Sequence, residues 1–122
     1  MKRTFLVLGL AGLAVAGAVF AQDPAAKPPA KKSTSSAAAT ARGKEVFDKK
    51  CTVCHYADSD SKKIGPGLKG LFKRGTFTVN NNKVTEESLK SWIENGDTMM
   101  PPFKDVLEQA QIKDVVAYVK TL

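Results

Sequence analysis

Apolar positions change their period several times along this chain of 122 residues, and each change marks an element. Phe5 to Ala21 is a continuous apolar run of 17 residues behind Lys2 and Arg3. A charged start, an apolar middle and a small residue at the exit describe a secretory signal peptide over residues 1–21, with cleavage after Ala21 or, alternatively, Ala18. The run also touches the lower length for a spanning helix, about 17 to 25 residues, so an uncleaved anchor stays open. Both readings put the rest of the chain outside the cytoplasm. Residues 22–40 then carry no large apolar side chain and consist mainly of Ala, Pro, Lys and Ser, with Pro24, Pro28 and Pro29 interrupting any helix. Such a stretch cannot bury enough surface to offset its ordering entropy, and a disordered linker is expected.

Beyond it, Val46, Phe47 and Lys50 fall on helical spacing, with Thr40 as N-cap. Gly43 lies four residues before Phe47 on the same face; a glycine there costs about 1 kcal/mol against alanine and marks close approach by another element. Tyr56 to Lys63 is polar and reads as a surface loop. In Ile64-Gly65-Pro66-Gly67-Leu68 the glycines and proline fix a turn, with the two apolar residues expected to face inward, and Gly70, Leu71, Phe72 and Gly75 continue an irregular segment. Thr76 to Val79 alternates like a short strand and Asn80 to Asn82 make a turn, so a pair of short strands is expected. Thr85 caps a helix to Asn95, with Glu86 and Glu87 in its first turn and Gly96 past its end. Its buried face is Leu89, Trp92 and Ile93. Two prolines hold Met99-Met100-Pro101-Pro102-Phe103 extended. A last helix over 109–121 presents Ile112, Val115, Val116 and Val119 as one stripe with Tyr118 beside it, and its start is expected to fray because Glu108 stands where Ser, Thr, Asp or Asn would cap.

The helical part, residues 41–122, is one domain of marginal size for a hydrophobic core alone, so a buried cofactor would supply missing apolar mass. The formal charge of the whole chain is +7, and residues 41–122 hold 14 basic and 11 acidic residues. That moderate excess suits docking to acidic protein surfaces. Lys49, Lys50, Lys62, Lys63, Lys69, Lys73 and Lys104 would supply it. Nucleic-acid binding is the weaker reading, because the lysines are interspersed with acidic residues and no binding motif accompanies them.

The chemistry concentrates in Cys51-Thr52-Val53-Cys54-His55. Two cysteines three apart, with histidine directly after the second, form the attachment pattern for c-type haem. Each thiol can add across one vinyl group, and the adjacent imidazole then serves as an axial ligand. A redox Cys-X-X-Cys would sit near a βαβ pattern, and a structural zinc site needs four ligands. These are the only cysteines, and His55 is the only histidine.

The succession of helix, Cys-X-X-Cys-His, Gly65-Pro66-Gly67, helix, Met100-Pro101 and a final helix ending Tyr118-Val119-Lys120 resembles class I cytochrome c, over residues 40–122. The resemblance implies an all-α fold with three main helices around one covalent haem c. It implies thioether bonds at Cys51 and Cys54, an axial ligand at His55, and a carbonyl at Pro66 that accepts from the other histidine nitrogen and so orients the ring. It also implies that Gly43 and Phe47 cross the last helix near Val115 and Tyr118. With a single histidine, the thioethers of Met99 and Met100 are left for the second axial position; the family pattern favours Met100, directly before proline. Trp92 is either core packing or a haem contact. Histidine–methionine ligation raises the reduction potential and leaves no position for oxygen or substrate. The implied role is single-electron transfer between periplasmic or membrane redox proteins, by a monomer whose electron donor and acceptor present acidic surfaces, with a membrane association only if residues 1–21 are retained. A subunit of a larger oxidoreductase or respiratory complex is the alternative. A peroxidase-like enzyme would need a vacant distal site and acid-base groups, for which no second histidine exists.

Overall fold

A computed structural model describes residues 32–122, which contain helices α1 (Lys32–Lys50), α2 (Leu71–Arg74), α3 (Glu86–Asn95) and α4 (Gln109–Val119). The expected signal peptide and most of the expected linker lie outside the described residues. Helix α1 begins within the segment expected as a linker, at Lys32, and Thr40 is inside the helix instead of at its cap. Ser36, Ala37 and Ala38 are exposed, so burial does not hold them in the helix. The prolines end at Pro29, alanine is the strongest helix former, and adding residues to a helix already nucleated gains one hydrogen bond per residue fixed.

Further along, α1 crosses and packs on α4. A Cβ at Gly43 would lie 1.9 Å from the carbonyl oxygen of Asp114 and 3.0 Å from Cβ of Tyr118, so only glycine lets the two backbones approach this closely. One turn later Phe47, fully buried, meets the Tyr118 ring edge-on at 5.3 Å. Beside the glycine, the Arg42 guanidinium donates to both carboxylate oxygens of Asp114, at 2.7 and 3.0 Å, and compensates a carboxylate that is largely withdrawn from water.

Helix α3 begins as expected, with a reciprocal cap: Ser88 N–H donates to Thr85 Oγ1 at 3.0 Å and Thr85 N–H to Ser88 Oγ at 2.8 Å. Leu89 and Ile93 are buried, while Trp92 is half-buried. The start of α4 is better held than Glu108 alone suggests, because Gln111 at the third helical position accepts from the Glu108 N–H at 2.9 Å. Lys120 near the end of α4 pairs with Glu86 at the start of α3. The two short strands are absent: among the described residues there is only one isolated antiparallel bridge, between Thr76 and Lys83. Phe77 N–H donates to Asn82 O at 2.9 Å and Asn81, with φ 60°, donates to Phe77 O at 2.8 Å, so the chain reverses too soon for a ladder to extend. The fold is all-α, three longer helices and one single-turn helix, with Phe47, Ile112 and Val115 at the centre of its core. No helix among the described residues is long and apolar enough to cross a membrane.

Candidate functional site

The core does not close on itself. Beside it lies a cavity of about 600 Å³ with mostly apolar walls, formed by Phe47 and Cys51 of the α1 end, Leu89 and Ile93 of α3, and Val115 and Val119 of α4. This is the size and character of a site for a large apolar cofactor. Every candidate identified in the sequence lines it: Cys51, Cys54, His55, Pro66, Trp92 and both Met99 and Met100.

The motif is placed by α1. Cys51 N–H donates to Phe47 O at 2.8 Å, Cys54 N–H to Cys51 O at 3.1 Å, and His55 N–H to Cys51 O at 2.9 Å, so the backbone keeps turning beyond the helix and brings both thiols to the same cavity. The cysteines are not bonded to each other. Burial, with Cys54 as a lesser contributor, pushes the Cys51 thiol up to about 11, so in the unmodified chain it is a neutral group in an apolar wall.

His55 Nδ1 lies 2.8 Å from the carbonyl oxygen of Pro66. A carbonyl can only accept, which assigns the proton to Nδ1 and leaves the lone pair on Nε2. The ring fits because residue 65 is glycine: a Cβ there would come within 2.4 Å of His55 Cε1. The same loop is fastened to the motif by Gly65 N–H to Cys54 O at 2.8 Å and Lys63 Nζ to Thr52 O at 2.6 Å. Ile64 and Leu68 both line the cavity; Ile64 stays 48% exposed at its rim, and Leu68 is half-buried and packed against the core.

The two methionines differ in burial. Met99 is 71% exposed, whereas Met100 is half-buried and packed against the core. Trp92 packs on Phe77, with ring centroids 5.1 Å apart, and is among the residues that line the cavity. Of the seven lysines expected to flank the crevice, Lys50 and Lys62 line it; Lys49, Lys63, Lys69, Lys73 and Lys104 are exposed away from its wall. Arg74 was not singled out in the sequence and also lines the cavity, with its guanidinium donating to the carbonyls of Gly67, at 3.0 Å, and Lys69. The available signal was a cationic side chain between two glycines, Gly70 and Gly75, that shape a one-turn helix.

Two thiols on one wall, an imidazole with one nitrogen committed and one available, a glycine cradle and a large apolar volume fit a covalently held haem. The Cytochrome c family model matches residues 40–122. Cytochrome c2 of Blastochloris viridis is 33% identical over 96 residues, covering 66% of this chain and 75% of that protein. Cytochrome c6 of Bryopsis maxima is 34% identical over 77 residues, covering 63% and 84% respectively. Cytochrome c6 of Leptolyngbya boryana is 38% identical over 79 residues, covering 65% and 87%.

Proposed function

The chain belongs to the cytochrome c family, and from that premise we propose that it carries single electrons between redox proteins outside the cytoplasm, with the iron of its haem held by His55 and Met100. The family binds one covalent haem c and serves electron transfer, and Cys51 and Cys54 fit its Cys-X-X-Cys-His motif. The observation that carries the proposal is the hydrogen bond at 2.8 Å between His55 Nδ1 and Pro66 O, which fixes the imidazole tautomer with Nε2 available in a cavity that Met100 also lines.

When bound, haem supplies an iron that cycles between Fe(II) and Fe(III). The chain's residues do the rest. Cys51 and Cys54 provide sulfur for two thioether bonds. Pro66 orients His55 and raises its basicity as a ligand. Met100 would hold the iron through its thioether sulfur, a role supported by its packing against the core, whereas Met99, which also lines the cavity, is 71% exposed. Leu89, Ile93, Val115 and Val119 keep water from the centre, and Trp92 braces the wall through Phe77. With His55 and Met100 both holding the iron, the site would leave no place for a substrate, and donor and acceptor would be redox proteins that meet the exposed rim. The N-terminal signal-like run supports an extracytoplasmic location.

Carbon monoxide tests the ligand set. The reduced wild-type protein is expected not to bind it, Met99→Ala to behave as wild type, and Met100→Ala to bind it readily. Binding by wild type, or by Met99→Ala alone, would overturn the proposal.

A further inference from the structure

The loop that bears Met100 is fastened to the end of α3. Helix ends leave carbonyls without intrahelical donors, and here the loop supplies donors on both sides of the methionine: Gly96 N–H to Trp92 O at 2.8 Å, Phe103 N–H to Ile93 O at 3.0 Å and Lys104 N–H to Glu94 O at 3.2 Å. Between these points the chain doubles back, and Asp97 N–H donates to the carbonyl of Met100 at 2.8 Å. The reversal occurs at Gly96, with φ 68° and ψ −162°, a combination essentially confined to glycine.

Conformation is only half of what Gly96 provides. A Cβ there would lie 2.2 Å from the carbonyl oxygen of Met100 and 2.8 Å from both Pro101 C and Pro102 N. Those are backbone atoms, which cannot step aside as a flexible side chain can. Gly70 and Gly75 also have positive φ, at 66° and 73°, yet a Cβ on either would meet nothing within 4 Å. Of the three, Gly96 alone combines a left-handed backbone with direct contact to another segment, and that segment is the one carrying Met100.

We infer that Gly96 is a positioning residue for Met100: the missing side chain lets the Met100 carbonyl seat against the turn and be held by Asp97 N–H, which fixes the point from which the thioether enters the cavity. Gly96 is not among the cavity's lining residues and acts through Met100. The inference rests on Met100 being the axial ligand. An added methyl group would force residues 100–102 outward and carry the sulfur with them, whereas alanine at residue 75 would impose backbone strain alone.

The test compares Gly96→Ala, Gly75→Ala and Met100→Ala as purified holoproteins, by far-red charge-transfer absorption of the ferric form, carbon monoxide binding of the reduced form, and reduction potential. Gly96→Ala is expected to lose most of the far-red absorption, to bind carbon monoxide and to fall in potential toward Met100→Ala. Gly75→Ala is expected to be less stable than wild type with all three properties kept. If Gly96→Ala keeps the absorption and Met100→Ala loses it, the ligand assignment stands and the positioning role is refuted. If Met100→Ala keeps it, the ligand assignment fails and the inference fails with it. Should Gly96→Ala give no folded holoprotein, amide hydrogen exchange of the wild type in a mild urea series decides: protection of Gly96, Asp97 and Phe103 is expected to disappear together with the far-red absorption, and persistent protection after the absorption has gone would overturn the inference.

Discussion

His55 depends on its neighbours having the right carbonyl and no Cβ. Gly65→Ala would bring a methyl group to 2.4 Å from the ring, and either the imidazole tilts away from Pro66 O or the loop lifts from the motif. Lower holoprotein yield and a lower melting temperature are expected; wild-type yield with an unchanged absorption spectrum would show that the ring does not need that space. The sequence marks residues 65 to 67 as a turn but does not say why glycine stands at 65 and 67. Neither Gly65 nor Gly67 has positive φ; both are required by close approach, of His55 in one case and of the Ser59 carbonyl, 2.3 Å from a Cβ, in the other. Gly70 and Gly75 are the reverse case, conformational and open. A glycine's two uses look identical in a sequence, because one depends on its own dihedrals and the other on a residue far along the chain. Met99 and Met100 pose the same problem: adjacent, chemically equal, and distinguished here only by burial.

At the scale of elements, signals that lie close together in the chain are legible in the sequence and tertiary ones less so. Helix α3 was legible because its cap, acidic first turn and terminal glycine all lie within a dozen residues. The four-residue alternation at Thr76 to Val79 is too short to separate a strand from a turn, and the start of α4 is held by Gln111, three residues beyond the N-cap Glu108. The early turns of α1 are not legible in composition, which tests whether a segment can build a core and not whether it can continue a helix. The α1–α4 crossing is the strongest constraint at this scale. Gly43→Ala has to displace the Asp114 carbonyl from 1.9 Å, and overpacking of this kind costs about 1–3 kcal/mol. Urea unfolding should register at least that loss. Ala41→Gly, on an exposed face of the same helix, should lose only the propensity difference of about 1 kcal/mol. Equal losses in the two variants would mean that the crossing tolerates a methyl group.

For the whole molecule, the order of motif, loop and helices was enough to identify the fold and the cofactor, since covalent haem attachment needs a contiguous pentapeptide. The docking surface was less legible, because it depends on which lysines the loops carry to the rim. Lys50, Lys62 and Arg74 surround the cavity together with Asp97, and exposed Val53, Ile64, Val79 and Met99 stand among them. Raising salt from 0.01 to 0.15 M shortens the Debye length from about 30 to about 8 Å, so electron transfer with an acidic redox partner should slow across that range while a basic partner speeds up. Rates indifferent to salt would assign docking to the apolar rim alone. The central claim, a one-electron carrier whose haem iron is held by His55 and Met100, is tested most directly by potentiometric titration of the wild type beside Met99→Ala and Met100→Ala. A single wave with a slope of about 59 mV per decade is expected for each, at the same potential for wild type and Met99→Ala and at a lower one for Met100→Ala, since methionine ligation raises the potential. A potential that drops in Met99→Ala instead, or in neither variant, would contradict the account.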